Sequence, residues 1–171
     1  TSLASRVPSL IHFEINERYS LLTQSYRAPL YVSSNKLIAA ASTFLDDMAQ
    51  LDPEIRDNLP GYRYHGDFAP WNMFMTDQGL FVFDWEESQN WMPALWDAFY
   101  FSTAPYLNMA CKKNPKKIMK EALKFANQRA VVQAVDSKLV PKLWTLWLGA
   151  MAQKKPSMRI DDLIRVNESS I

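Results

Sequence analysis

Glycine is scarce in this sequence. Of 171 residues four are glycine, Gly61, Gly66, Gly79 and Gly149, and none falls among the first 60. That excludes a P-loop or dinucleotide-type glycine-rich loop from residues 1–60, because both motifs need backbone that reaches a phosphate without a side chain in the way. Cysteine is rarer: Cys111 stands alone, so no internal disulfide forms, and a reducing cytoplasmic compartment is expected. His12 and His65 are the two histidines, too few for a zinc site of the Cys/His type. No apolar run approaches the roughly 20 residues that span a bilayer. The first 30 residues also lack the apolar core of a signal peptide, so a soluble chain without stable membrane insertion is expected. Excess charge is missing too, with 19 Lys/Arg against 18 Asp/Glu. No global field then draws nucleic acid or another polyanion.

What is present begins with apolar content: 48% of the residues are hydrophobic, enough for one sizeable core in a chain of one-domain length. The near-neutral total conceals two opposite parts. Residues 1–110 hold 6 Lys/Arg against 13 Asp/Glu, net −7, whereas residues 111–171 hold 13 against 5, net +8. Segments 8–15 and 19–26 are apolar and aromatic around the polar stretch Asn16, Glu17 and Arg18, which predicts a hairpin. Ser33, Ser34 and Asn35 offer caps for a helix over 36–51, with Leu37, Ala40, Ala41, Phe44, Leu45 and Met48 on one face. Segment 52–60 has prolines near both ends and predicts a short helical turn. Three short strands follow at 62–65, 72–76 and 80–85, the last two joined by Asp77, Gln78 and Gly79. From Pro93 the pattern is helical, over 93–109, 115–134, 138–153 and 157–167, with Pro115, Pro141 and Pro156 near the starts. The order predicts an α+β arrangement.

The segment YHGDFAPWNMFMTDQGLFVFDWEES, residues 64–88, concentrates the polar residues that a core hairpin does not need. Asp67 and Asn72 flank a turn containing Pro70, and Asp84 ends an apolar strand. Phosphoryl transfer needs a carboxylate beside the acceptor hydroxyl and hard oxygen ligands that hold Mg2+ against the nucleotide phosphates. The five-residue spacing from Asp67 to Asn72 equals the Asp-to-Asn spacing of the protein-kinase catalytic loop.

The strings HGDFAPWN at 65–72, FDWE at 83–86 and PALWD at 93–97 resemble the aminoglycoside phosphotransferase and choline kinase-like family of small-molecule kinases. The resemblance is strong over about 62–100 and rests elsewhere on element order. It implies a protein kinase-like fold in which ATP lies between two lobes and a small hydroxylated substrate takes the γ-phosphate. It further implies Asp67 as catalytic residue, Asn72 and Asp84 as Mg2+ ligands at the ATP site, and His65, Gly66 and Asp97 as supports of the loop. Residues 1–32 then correspond to the last strands of the amino-terminal lobe with its hinge, and 33–171 to a mostly helical carboxy-terminal lobe around a small catalytic β hub. The family's glycine-rich loop, strand lysine and helix glutamate have no counterpart here. As the chain opens at Thr1, it is expected to be a fragment of a longer phosphotransferase, inactive alone.

Each residue also has a plainer explanation. Asp67, Asn72 and Asp84 are ordinary turn residues, but their combination favours chemistry. His65 reads as a neutral imidazole bracing the loop, and Asp97 equally as a first-turn acid favoured by the helix dipole. Glu86 is a candidate substrate contact; a surface carboxylate after a strand is the ordinary alternative, and Glu87 is the weaker candidate. Trp71, Trp85, Trp91 and Trp96 read as core or pocket wall rather than a cage for a quaternary amine. Lys112, Lys113, Lys116, Lys117 and Lys120 read as a solvated helix start, with an anionic partner as the sharper reading. The main alternative to a phosphotransferase is a non-catalytic binding module on a kinase-like remnant; a metal-dependent hydrolase ranks last for want of a second ligand cluster. The basic carboxy-terminal part points away from polycationic aminoglycosides and toward a sugar, an amino-alcohol or a cell-envelope precursor. Oligomeric state and the choice between ATP and GTP stay open.

Overall fold

Turn chemistry and caps divide the chain much as its patterns suggest. The computed structural model describes residues 10–15, 20–24, 29–51, 53–109 and 113–170. In chain order the elements are β1 (Leu10–Ile15), β2 (Ser20–Gln24), α1 (Ser34–Met48), β3 (Glu54–Arg56), β4 (Leu59–Tyr64), β5 (Met73–Thr76), β6 (Gly79–Val82), β7 (Gln89–Pro93), α2 (Trp96–Asn108), α3 (Pro115–Val132), α4 (Val140–Lys154) and α5 (Met158–Glu168). Strands and helices together form an α+β architecture. The expected hairpin turn at 16–18, residues 1–9, the first part of the hinge at 26–28, Cys111 and Lys112 lie outside the described residues. No described helix is long and apolar enough to cross a membrane.

The chain divides into two compact units, one of Thr1–Phe44 and Trp71–Asp84, the other of Leu45–Pro70 and Trp85–Ile171. In the smaller unit β1 and β2 pair antiparallel, with Phe13 opposite Leu22. β5 and β6 form a second antiparallel hairpin, Met73 opposite Val82, closed by Asp77 and Gln78 with Gly79 at φ 107°. The Thr76 hydroxyl donates to the Gly79 carbonyl at 2.9 Å and tightens that turn. Leu30 N–H donates to the Met75 carbonyl at 2.7 Å, laying the incoming chain along β5. α1 starts at Ser33, whose hydroxyl accepts from Lys36 N–H at 3.4 Å. Its Ala41, Phe44, Leu45 and Met48, spaced for one helix face, are buried.

The larger unit holds a three-stranded sheet in the order β3-β4-β7 and the helices α2 to α5. Segment 53–60 is a hairpin rather than the expected helical turn: Asp57 and Asn58 take φ values of 50° and 60°, the left-handed pair that a two-residue hairpin loop requires. β7 also departs from expectation, since Pro93 ends a strand paired through Gly61 instead of starting a helix. α2 is buried nearly all round, including Phe99, Phe101, Thr103 and Ala104, which marks it as the central helix of the unit. Ala122, Ala126 and Ala130 form a buried stripe on α3. Small side chains there let helices approach closely, and α2 supplies much of the facing surface. From α4, Trp144 and Trp147 stack at 5.1 Å and meet Phe99 edge-on and tilted, all three fully buried. Each ring contributes about 2–3 kcal/mol of burial. Caps set the helix starts: Asn114 accepts from Lys116 N–H at 2.8 Å ahead of Pro115, and Ser157 accepts from Ile160 N–H at 3.4 Å.

α3 is tied to the end of α1 by polar contacts as well. Arg129 pairs with Asp46, and Gln133 donates to the second Asp46 oxygen at 3.2 Å. Burial raises the Asp46 carboxyl above its ordinary value against the pull of Gln133 and Arg129, so removing the arginine leaves a poorly solvated charge. We expect Arg129→Met to cost about 3 kcal/mol in urea denaturation. A cost under about 1 kcal/mol would be that of an exposed pair and would contradict this account.

Candidate active site

The loop after β4 is built from the backbone outward. β4 delivers Tyr62 and Tyr64 as buried side chains, then His65, which is fully buried. His65 N–H donates to Asp97 Oδ2 at 2.7 Å and Gly66 N–H to Asp97 Oδ1 at 3.1 Å, so one carboxylate holds two successive amides. Asp67 N–H donates to His65 Nδ1 at 3.2 Å, which assigns the imidazole proton to Nε2. The His65 ring lies 4.5 Å from Trp85 and edge-on to Phe68. Gly66 has φ 91°, and a Cβ there would stand 2.3 Å from the Glu87 carbonyl oxygen. Glycine is thus required twice over, by backbone conformation and by space.

Asp97 lies in the first turn of α2 and is 3% exposed. Burial pushes its carboxyl above the ordinary range, and the His65 and Gly66 amides oppose that push. The start of α2 is set by Leu95, a buried residue at φ 68°. A leucine in the left-handed region is strained. Its N–H donates to Tyr62 Oη at 3.2 Å, and that hydroxyl donates to Gln133 Oε1 at 2.9 Å. This contact holds the helix start that presents Asp97 to the loop.

Asp67 itself, with a side chain 19% exposed, meets two partners that sequence reasoning missed. Lys155 Nζ lies 3.2 Å from Asp67 Oδ1 and 3.1 Å from Tyr100 Oη, and it sits over the Tyr100 ring at 5.3 Å. The phenol is also hydrogen-bonded to Asp67. Burial first, and this bond second, raise the Tyr100 hydroxyl above its ordinary value. Burial works to lower the Lys155 ammonium, but Tyr100 and Asp67 outweigh it and hold the lysine protonated beyond its usual range. The doublet Lys154-Lys155 ahead of Pro156 at the end of α4 was the available signal, and nothing local tied it to residue 67.

Cavities open in this unit among the described residues. One, of about 150 Å3, is lined by Tyr100, Asn108, Met151, Lys155 and Ser157 among others. Another, of about 410 Å3, is bounded by Tyr64, Gly66, Glu87, Trp96 and Lys154 among others. Glu87 pairs with Lys154 at 2.6 Å on its wall, whereas Glu86 stands exposed in the preceding turn. The tryptophans have separate partners: Trp85 packs on His65, Trp91 lies under Arg56 at 5.0 Å, Trp96 lines the larger cavity, and Trp71 is exposed. Lys113, Lys116, Lys117 and Lys120 are exposed at the start of α3, and Lys113 reaches Glu121 at 3.3 Å.

In the smaller unit, Asn72 and Asp84 flank the open end of the β5–β6 hairpin. Phe83 N–H donates to the Asn72 carbonyl at 3.1 Å, which brings residue 84 beside residue 72. Asn72 is buried, while Asp84 is exposed at φ 66°. One amide oxygen and one carboxylate suit Mg2+, which keeps waters and phosphate oxygens in its remaining positions. Among the described residues no cluster of three His, Cys, Asp or Glu is placed to hold a metal by itself.

The model of one family, described as the phosphotransferase enzyme family, matches residues 8–106, more than half of the chain. No curated protein and no solved structure matches it.

Tyr62, Tyr100 and Lys155 all retain protons beyond their ordinary ranges. Stability that depends on those protons is complete below the unfolded values, 10.0 for tyrosine and 10.5 for lysine, and is lost as pH rises through the folded ones. Denaturation midpoints should fall on going above pH 10, and less steeply in Lys155→Met. An identical alkaline profile in the variant would contradict the Lys155 contacts.

Proposed function

The chain belongs to the phosphotransferase enzyme family and has its kinase-like α+β fold, and on that premise we propose that it serves ATP- and Mg2+-dependent transfer of a γ-phosphate to the hydroxyl of a small molecule. The observation that supports this most is the loop on which Asp67 follows two amides held by one buried carboxylate. Such a loop fixes the backbone that carries Asp67 through the His65, Gly66 and Asp67 amides.

In this reading Asp67 takes the acceptor hydroxyl's proton as the acceptor oxygen bonds to the γ-phosphorus. The bond from that phosphorus to the β,γ-bridging oxygen breaks, and ADP leaves. Asn72 and Asp84 are the proposed Mg2+ ligands. The ion supplies neutralisation of the donor's phosphate charge. His65, Gly66 and Asp97 position the loop, and Glu86 is kept as a substrate contact with Glu87 beside it. Residues 1–32 are assigned to the end of an amino-terminal lobe and 33–171 to a carboxy-terminal lobe. Because residues 1–60 hold no glycine, the glycine-rich loop and strand lysine are assigned to residues outside this sequence. With them absent, residues 1–171 would be inactive alone. ATP as donor goes with a cytoplasmic site of action, and no nucleic-acid partner is proposed.

A non-catalytic module is the second reading, and the ion pair that engages Asp67 with Lys155 favours it. Labelled-ATP transfer to small hydroxylated acceptors, run on the full-length gene product, separates the two. Asp67→Asn should lower transfer about 10²–10⁴-fold while circular dichroism stays unchanged. Transfer that survives the substitution overturns the assignment of Asp67. Absence of both transfer and Mg2+-dependent nucleotide binding would favour the module.

A further inference from the structure

We propose that the cavity between α2 and the α4–α5 junction is the acceptor subsite, and that it takes a small hydroxylated molecule carrying an anionic group, held by Lys155. This rests on the phosphotransferase reading and deepens it by naming the acceptor class.

The cavity has a volume of about 150 Å3, room for a molecule of roughly ten heavy atoms. Tyr100 and Lys155 line the cavity, and Lys155 bonds to both Tyr100 and Asp67, so the proposed base stands one side chain behind that wall. Asn108 and Ser157 add an amide and a hydroxyl, Leu107, Met151 and Ile160 an apolar wall. Among the described residues, the lining contains one cation and no carboxylate. Lys155 has three N–H donors, of which Asp67 and Tyr100 engage two, leaving one for an anionic occupant. Without an occupant, the ammonium is held against the proposed base. An anionic occupant shares that ammonium and loosens its hold on Asp67, whose carboxylate then faces the occupant's own hydroxyl. A cationic acceptor would meet Lys155 as a like charge and be turned away. The net charge of +8 over residues 111–171 acts in the same sense at longer range.

The test is calorimetric titration of the full-length protein with glycerol 3-phosphate, with glycerol and choline as neutral and cationic counterparts. Glycerol 3-phosphate should bind and the other two should not. Lys155→Met should weaken that binding about tenfold, as expected for loss of one charge-assisted hydrogen bond, and Lys155→Arg should restore most of it. Asn108→Asp places a carboxylate in the lining at the exposed end of α2 and should weaken binding likewise, which serves if Lys155→Met fails to fold. No binding of glycerol 3-phosphate, equal binding of glycerol or choline, or indifference to both variants overturns the inference. Labelled-ATP transfer is read in parallel. Anion binding without transfer to any acceptor leaves the subsite standing and removes the phosphotransferase reading; transfer to cationic acceptors without anion binding does the reverse.

Discussion

The larger unit is organised around the Asp97 carboxylate. A buried carboxyl is costly unless hydrogen bonds compensate, and here both oxygens accept from successive backbone amides, His65 and Gly66. The cost and the compensation belong to different elements, α2 and the loop after β4, so neither is satisfied unless both are in place. Several otherwise unrelated features serve that one contact. Leu95 accepts a strained φ at the start of α2, Tyr62 holds the Leu95 amide, and Gly66 supplies a conformation and a closeness to Glu87 that other residues cannot. His65 then uses its ring nitrogen to fix the amide of Asp67, and its buried packing against Trp85 gives the loop a hydrophobic floor.

The outcome is a carboxylate, Asp67, whose backbone is held by these bonds and whose side chain interacts with a cation and a phenol. That is a useful arrangement for proton transfer, because preorganised geometry removes reorganisation from the reacting step. The Lys155 ammonium beside it has two consequences of opposite sign. It favours the charged form of the base, and it competes with an acceptor hydroxyl for the same oxygen. An acceptor that engages the lysine resolves the competition, and one that does not is left with it. Substrate selection and base activation therefore share one residue on this reading.

Much of this was legible in the residues, for identifiable reasons. Helix ends carry local chemistry: Ser33, Asn114 with Pro115, and Ser157 cap the helices whose apolar periodicity follows them. The HGDFAPWN string concentrates polar residues against the hydrophobic pattern around it, and local sequence shows such a conflict directly. Segment 53–60 misled because prolines near both ends resemble the limits of a helical turn, whereas the left-handed pair Asp57-Asn58 decides for a hairpin. β7 depends on pairing with β4 across the chain, and its sequence QNWMP has little strand character of its own. Lys155 and Tyr100 lie 88 and 33 positions beyond Asp67 in the chain, so no short window on the sequence contains both partners.

The most direct check of the central contact is amide hydrogen exchange at His65 and Gly66, resolved by NMR. Both lie in a loop without helix or strand pairing, where exposed amides exchange fast. If Asp97 holds them as described, they exchange only through unfolding of the larger unit and rank with core helix amides. Exchange at the rate of an exposed turn would contradict the account, since the loop that carries Asp67 would then be held by something other than this carboxylate.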